Sequence, residues 1–225
     1  MGMRVAALCS GGKDSSYALW LAIQQRHEIA HLVAMIPRRD DSWMFHYPNI
    51  NLIDLFAECT GLHLTKAETS GERRQELVDL KQVLQGLDVE GVVSGAIASN
   101  YQRGHIDRIC EELGLASLAP LWGREPVELI REMLKAGFDI IITGVAAQGL
   151  DSGWLGRKLD EKALQELSKL RERYEVNPSG EGGEYESLVL DAPFFKSKIE
   201  VVDAEKIWRG TSGYYLIKRA RHVGK

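Results

Sequence analysis

The feature that most constrains the fold of this chain is a regular alternation of two sequence textures along its first half. Short apolar runs without strict polar alternation occupy residues 4–9, 29–36, 62–66, 91–94 and 116–119. Segments with apolar residues at helical spacing separate these runs, at residues 15–25, 51–59, 72–87 and 101–113. Strands that are apolar throughout and alternate with helices are typical of a parallel sheet covered on both faces. Because crossover connections are right-handed, we predict an α/β fold with a doubly wound, five-stranded parallel sheet.

The third helical segment shows its spacing most clearly. Its apolar residues follow one another at three- and four-residue steps, at Leu77, Leu80, Val83, Leu84 and Leu87. This spacing puts them on one face of a helix, and we expect that face to belong to the core.

The second half of the chain has a less regular pattern. A helix is predicted from Pro126, a residue that suits a first turn, to Ala136, just before Gly137. A buried strand at 139–144, a helix at 159–174 and strands at 187–190, 199–202 and 214–218 follow. We therefore predict two domains, residues 1–122 and 123–225, the second a smaller α+β domain.

Composition excludes several classes of protein. The chain has 225 residues, of which 44% are hydrophobic and 27% charged, as in an ordinary globular protein rather than a disordered one. Its net charge of -4 argues against a general nucleic-acid binder. The apolar run at residues 4–9 is too short for a signal peptide, and no stretch approaches the roughly 20 apolar residues of a membrane span.

Three widely spaced cysteines, Cys9, Cys59 and Cys110, form no C-x-x-C pair. This number and spacing fit neither a disulfide framework nor a zinc site, and they indicate reduced thiols in the cytoplasm. Cys9 lies on a strand of small apolar residues, and we expect it to be part of the core. The histidines have no metal-ligand spacing, so we predict no metal site built from protein ligands alone.

The strongest chemical signal lies between the first predicted strand and the first predicted helix. We call this stretch, residues 10–16, the phosphate loop; it consists of Ser10, Gly11, Gly12, Lys13, Asp14, Ser15 and Ser16. The glycines allow a tight turn that brings backbone N–H groups close to a phosphate. Asp14 or Ser15 is expected to cap the helix, whose N-terminus attracts anions, and Lys13 adds a full positive charge.

Two familiar nucleotide-binding loops are excluded at this position. A Walker loop needs Ser or Thr directly after its lysine, whereas Asp14 follows Lys13, and the G-x-G-x-x-G fingerprint is absent. The plainer alternative is that Gly11 and Gly12 form only a strand-to-helix turn. The position of the loop favours phosphate binding if the first strand borders the point where the strand order reverses, because a doubly wound sheet binds its ligand there.

A second concentration of polar residues lies at residues 177–186, which we call the acidic segment and predict to be a loop. Glu181, Glu184 and Glu186 bring three carboxylates together around two glycines. Like charges so close repel one another, and they make sense if they face a cation. The alternative is a solvated acidic turn. With Lys13 and Asp14, these three glutamates are the predicted catalytic residues.

Three further residues have open assignments. Tyr101 and Arg103 open the helix that follows the strand at 91–94. Arg103 pairs either with pyrophosphate or a substrate carboxylate, or it is an ordinary exposed helical arginine. His46 either contacts a phosphate or is an ordinary loop histidine.

The phosphate loop is similar to the S-G-G-x-D-S loop of the N-type ATP pyrophosphatases, which split ATP between its α and β phosphates. Further stretches narrow the resemblance, at residues 41–46, 95–103, 120–123, 149–151, 154–156 and 181–186. Together they resemble the diphthine–ammonia ligase family in its short form without appended domains, over residues 4 to about 194. Two departures are Trp43, where the family usually has tyrosine, and Tyr185-Glu186-Ser187, where it usually has Phe-Glu-Thr.

This resemblance implies an adenine nucleotide alpha hydrolase-like sheet, with an ATP-binding first domain and a substrate-binding second domain. It implies ATP-dependent amidation of diphthine on elongation factor 2 with ammonium, through an acyl-adenylate, giving diphthamide, AMP and pyrophosphate. Magnesium would bridge the phosphates, with Asp14 as a ligand directly or through water. The acidic segment, with Tyr185 and Trp154, would hold the substrate cation or ammonium.

The nucleotide-binding residues that we predict on this basis extend beyond the phosphate loop. They are Met35, His46, Gly95, Ala96, Tyr101 and Arg103, with backbone groups near Met35 and Gly95 selecting adenine. We expect no membrane association and no nucleic-acid partner, and we take a homodimer as the working assembly.

Two rival functions remain open. One is an adenylating enzyme of the same superfamily that acts on another substrate, such as a tRNA base or a small molecule. The other is a sensor that binds a nucleotide without chemistry. A thiolating enzyme would need paired cysteines, and a sensor would have no use for the acidic segment.

Overall fold

A computed structural model describes residues 2–37, 49–70 and 73–225 of the chain. The chain forms two compact units, Met1–Trp122 and Gly123–Lys225. We call them the first and second unit and describe each by itself.

The first unit is built on five parallel strands. They are β1 (Arg4–Leu8), β2 (Glu28–Pro37), β3 (Leu64–Thr69), β4 (Gly91–Val93) and β5 (Ala116–Leu118). The helices between them are α1 (Lys13–Gln24), α2 (Ile53–Thr60) after a 3-10 turn at Asn49–Leu52, α3 (Arg73–Gln85) and α4 (Asn100–Leu113). The predicted five-stranded parallel sheet is confirmed, because its strands lie in the order β3-β2-β1-β4-β5 and all pairs are parallel.

The strand order determines where a ligand can bind. β1 is the central strand; the chain first runs outward through β2 to β3, then returns to β4 on the other side of β1. The direction of winding therefore reverses between β1 and β4. In open α/β sheets the crevice at the carboxyl end of such a reversal is the usual ligand site.

One face of the sheet is covered by α3 and α4. Val33 and Met35 of β2 pack in one buried cluster with Leu80 and Leu84 of α3, and with Cys110 of α4. The predicted apolar face of the third helical segment is confirmed, since the remaining members, Leu77, Val83 and Leu87, pack against this cluster. Burial of one leucine side chain contributes roughly 2 kcal/mol. The apolar face of α3 is therefore a main source of stability in the first unit.

The second unit combines two helices with an antiparallel sheet. Its elements are α5 (Pro126–Lys135), β6 (Asp139–Val145), α6 (Glu161–Tyr174), β7 (Tyr185–Asp191), β8 (Ser197–Arg209) and β9 (Ser212–Gly224). The strands lie in the order β7-β6-β9-β8, with antiparallel pairs throughout. The predicted α+β character is confirmed.

Two details of the predicted second half are wrong. β8 and β9 are 13 residues each, far longer than the predicted strands, because they pair with one another along nearly their whole length. β7 begins at Tyr185, so the last two residues of the acidic segment, Tyr185 and Glu186, belong to a strand and not to a loop. Their backbone pairs with β6, opposite Val145 and Gly144.

The structure also describes two features that bear on the sequence-based expectations, the length of the apolar helices and the state of the cysteines. Within the described ranges, none of the helices combines the length and the apolar character that crossing a membrane requires. Cys9, Cys59 and Cys110 are all buried free thiols.

Candidate functional site

The phosphate loop leaves β1 and enters α1 through a turn that requires glycine. The N–H of Cys9 donates the last ladder hydrogen bond of β1, to the Val33 carbonyl at 2.9 Å. Gly11 then takes a left-handed φ of 79°, which residues with a side chain rarely adopt. Gly12 follows in an extended conformation as the N-cap of α1. The chain thus reverses into the helix directly above the central strand.

The hydroxyl groups of the loop stabilise its own turn. Ser15 Oγ donates to the Gly12 carbonyl at 3.1 Å and accepts from the Ser10 N–H at 3.3 Å. The prediction that Asp14 or Ser15 caps α1 is wrong, because Gly12 is the N-cap and no side chain caps the helix. The Gly12 N–H donates to Ser10 Oγ at 3.4 Å, and the N-terminus of α1 beyond it keeps its partial positive charge.

Lys13 is the most unusual residue of the loop. It lies in the first turn of α1, is only 2% exposed, and its Nζ donates to Asp14 Oδ2 at 2.7 Å. A cation is disfavoured at a helix N-terminus, and burial adds a desolvation penalty. Ser16, in the same turn, is fully buried, and its hydroxyl has no hydrogen-bond partner among the residues that the structure describes. Both groups are suited to an anionic ligand with several oxygen acceptors.

The segment after β4 closes against the phosphate loop. A Cβ built on Gly95 would lie 2.7 Å from the carbonyl carbon of Asp14 and from the nitrogen of Ser15. Backbone therefore meets backbone here, and no side chain fits between. Ala96, the next residue, is buried. The structure thus brings the phosphate loop and Gly95 together at the reversal between β1 and β4, with Ala96 next to Gly95 in the chain.

Met35 is present at this edge only through its backbone. Its side chain is 2% exposed and packs in the core cluster under α3 and α4. The Val33 carbonyl points towards β1, whereas the N–H of Leu32 donates to His63 on the opposite side. Because backbone groups two residues apart on a strand point to the same neighbour, those of Met35 face the space just beyond the end of β1.

Tyr101 and Arg103 lie in the first turns of α4. The Tyr101 ring contacts the His105 ring edge-on, with centroids 4.3 Å apart. The Arg103 guanidinium lies 4.3 Å above the Trp122 ring, and its Nε donates to Asp107 at 3.3 Å. Arg103 is therefore fixed by two partners, unlike an ordinary solvated helical arginine. His46 and the stretch at 41–46 lie outside the described residues.

In the second unit, the acidic segment folds around the Tyr185 ring. The Tyr185 hydroxyl donates to the Pro178 carbonyl at 2.7 Å, and the side chain is buried. Gly180 has a φ of 71°, and a Cβ there would lie 2.9 Å from the ring. Ser179 donates through both its N–H and its hydroxyl to Asn177 Oδ1. This part of the segment is a packed turn and not a solvated loop.

The three carboxylates of the acidic segment occupy different places. Glu184 Oε1 accepts from the Asn177 N–H at 3.0 Å, and its Oε2 is buried with no hydrogen-bond partner in the described parts of the chain. Glu186 lies on β7 opposite Gly144, and Glu181 lies on the turn before Gly182. Within the described ranges, no three His, Cys, Asp or Glu residues converge in a way that would hold a metal ion.

Trp154 and Tyr185 do not form the predicted cation-binding pair. Trp154 is buried, and the Arg157 guanidinium already lies 4.4 Å above its ring. Arg157 in turn donates to both oxygens of Glu166, at 2.6 and 2.9 Å. This hydrogen bond raises the pKa of Arg157 and lowers that of Glu166. Sequence reasoning missed Arg157, although it directly follows the stretch at 154–156.

The comparisons with known proteins cover both units. The family described as "Diphthamide synthase N-terminal domain" matches residues 3–117, and "Diphthamide synthase C-terminal domain" matches residues 125–223. The chain belongs to the diphthine–ammonia ligase family. As a member of this family it is an enzyme of the ligase class.

Relatives in this family extend over nearly the whole chain. The human "Diphthine--ammonia ligase" is 40% identical over 91% of this chain and 85% of the relative, and the mouse protein is 38% identical over 94% and 88%. The Saccharomyces cerevisiae protein of the same name is 34% identical, and the match covers 91% of this chain but 35% of that longer protein.

Among solved structures, one described as "predicted subunit of tRNA methyltransferase" from Methanocaldococcus jannaschii aligns over 85% of this chain and 98% of that chain. Its TM-score is 0.46 at 16% sequence identity.

The contact at Gly95 leads to a first prediction. We expect Gly95→Ala to lower the free energy of unfolding by about 1–3 kcal/mol, because the new methyl group meets backbone that has no room to move. Gly104→Ala, in α4, is the matched control: its Cβ meets nothing within 4 Å, and the variant should gain about 0.4–1 kcal/mol. Urea unfolding followed by circular dichroism measures both. Equal stability of Gly95→Ala and wild type would contradict the close approach.

The buried thiol beside the loop leads to a second prediction. Burial raises the pKa of Cys9 to about 11, whereas a thiol in an unfolded chain ionises near pH 8.5. Between these values the unfolded state holds fewer protons, so stability is complete below about pH 8.5 and falls as the pH rises towards 11. We expect this fall to be shallower in Cys9→Ala, by up to about 1.4 kcal/mol per pH unit. Parallel pH profiles of the two proteins would disprove the assignment.

Proposed function

We propose that this chain catalyses the ATP-dependent amidation of diphthine on elongation factor 2 with ammonium, giving diphthamide, AMP and pyrophosphate. Membership of the diphthine–ammonia ligase family supports the amidation, since its relatives carry that name. The arrangement of the phosphate loop supports ATP as the source of energy. The three free thiols suit a cytoplasmic enzyme. A homodimer stays a prediction.

The observation that carries the nucleotide assignment is the buried Lys13 in the first turn of α1. Lysine is costly there unless anions surround it; the Asp14 carboxylate is one, and a bound polyphosphate would supply more negative charge. Gly11, Gly12 and the uncapped start of α1 present backbone N–H groups at the same place. A polyphosphate supplies several oxygen acceptors at once, and it would also satisfy the hydroxyl of Ser16.

The groups of the phosphate loop would also assist cleavage of the anhydride bond between the α and β phosphates of ATP. A carboxylate oxygen of diphthine attacks the α-phosphorus, the bond to the β-phosphate breaks, and pyrophosphate leaves into the phosphate loop. Ammonia then displaces AMP from the acyl-adenylate and loses one proton. The Lys13 ammonium and the N–H groups of Gly11 and Gly12 would stabilise the charge that grows on the departing pyrophosphate, without rearrangement during the reaction.

Magnesium fits the residues that are present. Mg²⁺ commonly takes one or two carboxylates and completes its shell with phosphate oxygens and water. Asp14 is the carboxylate of the phosphate loop, and one of its oxygens is held by Lys13. We assign Asp14 as its protein ligand, directly or through water. The ion would neutralise phosphate charge when bound.

The adenine and the rest of the nucleotide would be held at the neighbouring strand ends. The backbone groups of Met35 face the space beyond β1, and those of Gly95 and Ala96 border the phosphate loop. Tyr101 and Arg103 follow on α4, where Trp122 and Asp107 orient the Arg103 guanidinium. We assign Arg103 to an anionic group of the nucleotide or of the substrate.

Within the acidic segment, we divide the roles of the glutamates. Glu184 is a positioning residue, because its Oε1 accepts from the Asn177 N–H and holds the turn. Glu181 and Glu186 are the groups that would attract a substrate cation, either ammonium or the quaternary ammonium of diphthine, and accept a proton from ammonium. The sequence predicts all three as catalytic residues without assigning separate roles, and this division proposes those roles.

The decisive experiment incubates the protein with ATP, ammonium and elongation factor 2 that carries diphthine. We expect one AMP and one pyrophosphate per amide formed. Lys13→Met should lower kcat/KM for ATP by about 100-fold or more, because it removes charge stabilisation from the transition state. Lys66→Met is the control: Lys66 is exposed on β3 and pairs with Asp54, and we expect a change below about threefold.

Other results would favour the rival functions. Release of pyrophosphate that requires tRNA, and not elongation factor 2, would indicate another adenylating enzyme of the superfamily. Nucleotide binding without any hydrolysis under these conditions would indicate a sensor. Recovery of ADP in place of AMP would contradict the proposal outright.

The divided glutamates give a further prediction. Glu181→Gln combined with Glu186→Gln should raise KM for ammonium about tenfold or more and leave KM for ATP unchanged, since negative charge facing a cation is lost. Glu184→Gln keeps an oxygen that accepts from the Asn177 N–H and should retain activity within about threefold. If Glu184→Gln is the more damaging change, the division is wrong.

A further inference from the structure

Positive charge is concentrated at the C-terminal end of the second unit. Residues 196–225, which we call the basic hairpin, comprise β8, β9 and the residues next to them. They hold eight Lys and Arg but three Asp and Glu, a net charge of +5 in a chain whose total is -4. The other 195 residues therefore carry -9. Such segregation is not needed for folding, and it indicates an anionic partner.

Part of this charge is already balanced within the second unit. Lys218 pairs with Glu205, Arg221 with Glu200, and Lys225 with Asp191. Lys196, Arg209 and Arg219 are exposed, and within the described ranges none of them has an ion-pair partner. Lys206 also forms no ion pair in the described ranges and donates only to a backbone carbonyl. The basic hairpin thus keeps four cations that no carboxylate of the described residues balances.

The tip of the basic hairpin presents a fixed aromatic side chain. Trp208 is 40% exposed, and its indole lies on Gly213, where a Cβ would come within 2.7 Å of the ring. Arg209 lies 5.9 Å from the centroid of the Tyr214 ring. Tryptophan, tyrosine and arginine are the residues that most often dominate the energy of protein interfaces.

The basic hairpin is held firmly by the rest of the second unit. The Tyr215 ring lies on Gly156, whose Cβ would come within 2.8 Å of it, and Lys206 Nζ donates to the Ser152 carbonyl at 3.3 Å. A rigid surface loses little conformational entropy on binding. The exposed tip is therefore preorganised.

The mixture of charges distinguishes between possible anionic partners. β8 is the edge strand of its sheet and carries Glu200, Asp203 and Glu205 among its basic residues. Glu200 and Glu205 are held in ion pairs with Arg221 and Lys218, so charges of both signs are fixed along the hairpin. A uniform phosphate backbone does not match such a mixture. A protein surface can place an acidic group against each basic residue and a basic group against each acidic residue. The pattern therefore favours an acidic protein.

We propose that the basic hairpin docks an acidic surface of the protein that carries the diphthine side chain. This inference rests on the proposed function, in which the reacting group belongs to a macromolecule. A specific protein complex buries about 800 Å² on each partner, far more than one modified histidine provides. The hairpin supplies that additional surface, with Trp208 as its anchor and Lys196, Arg209 and Arg219 as its steering charges.

The test compares two variants of equal net charge. Lys196→Glu, Arg209→Glu and Arg219→Glu together reverse three of the four uncompensated cations of the hairpin; Lys206 is kept because it donates to the Ser152 carbonyl. Lys162→Glu, Lys169→Glu and Arg173→Glu together reverse three exposed cations on α6. We expect the hairpin variant to raise KM for diphthine-bearing elongation factor 2 about tenfold or more, with kcat and KM for ATP unchanged. The α6 variant should stay within about threefold of wild type, and added salt should shrink the difference between the two.

Binding measured without turnover separates this proposal from the proposed function. If wild type forms no AMP with elongation factor 2, the proposed function fails, whereas fluorescence anisotropy still reports whether the hairpin variant binds that protein more weakly. Equal Kd values for the two variants would overturn the docking proposal even in an active enzyme. Tighter binding of single-stranded RNA than of elongation factor 2, lost in the hairpin variant, would also overturn it.

Discussion

The candidate site depends on one constraint of topology: β1 is the central strand, and the chain winds away from it in opposite directions on its two sides. The turns that follow β1 and β4 therefore diverge and leave a crevice at the carboxyl end of the sheet. Into this crevice the phosphate loop and Gly95 bring backbone against backbone, at distances that exclude any side chain on Gly95. The position of the loop is thus imposed by the sheet, and the hydroxyl groups of Ser10 and Ser15 stabilise the turn.

That position carries an electrostatic cost when nothing is bound. Lys13 is buried at the positive end of a helix whose N-cap residue makes no side-chain cap bond, and it pairs with the Asp14 carboxylate. A site of this kind is least favourable empty and most favourable with a polyanion. Local rules for stability are commonly broken at functional sites, and the burial of Lys13 is the observation on which we base the proposal of a polyanionic ligand.

In the second unit, close contacts between glycines and aromatic rings hold the acidic segment and the basic hairpin in place. The Tyr185 ring packs against Gly180, and the Tyr215 ring packs against Gly156. The acidic segment and the basic hairpin are both fixed by this close packing. The family resemblance implies that Tyr185 helps to hold a substrate cation. The structure instead buries it with a hydrogen bond to the Pro178 carbonyl.

The sequence by itself determined the type of each element in the first unit and the place of the phosphate loop. Apolar spacing reports burial over a few neighbouring residues, and residues 10–16 are contiguous, so both are local properties. Only the tertiary structure decided that the backbone of Gly95 packs against that of Ser15 and that the Arg157 guanidinium lies above the Trp154 ring. It also decided that β8 and β9 extend to 13 residues each. These features join residues by strand order and cross-strand pairing, which leave no periodic signal in either partner alone.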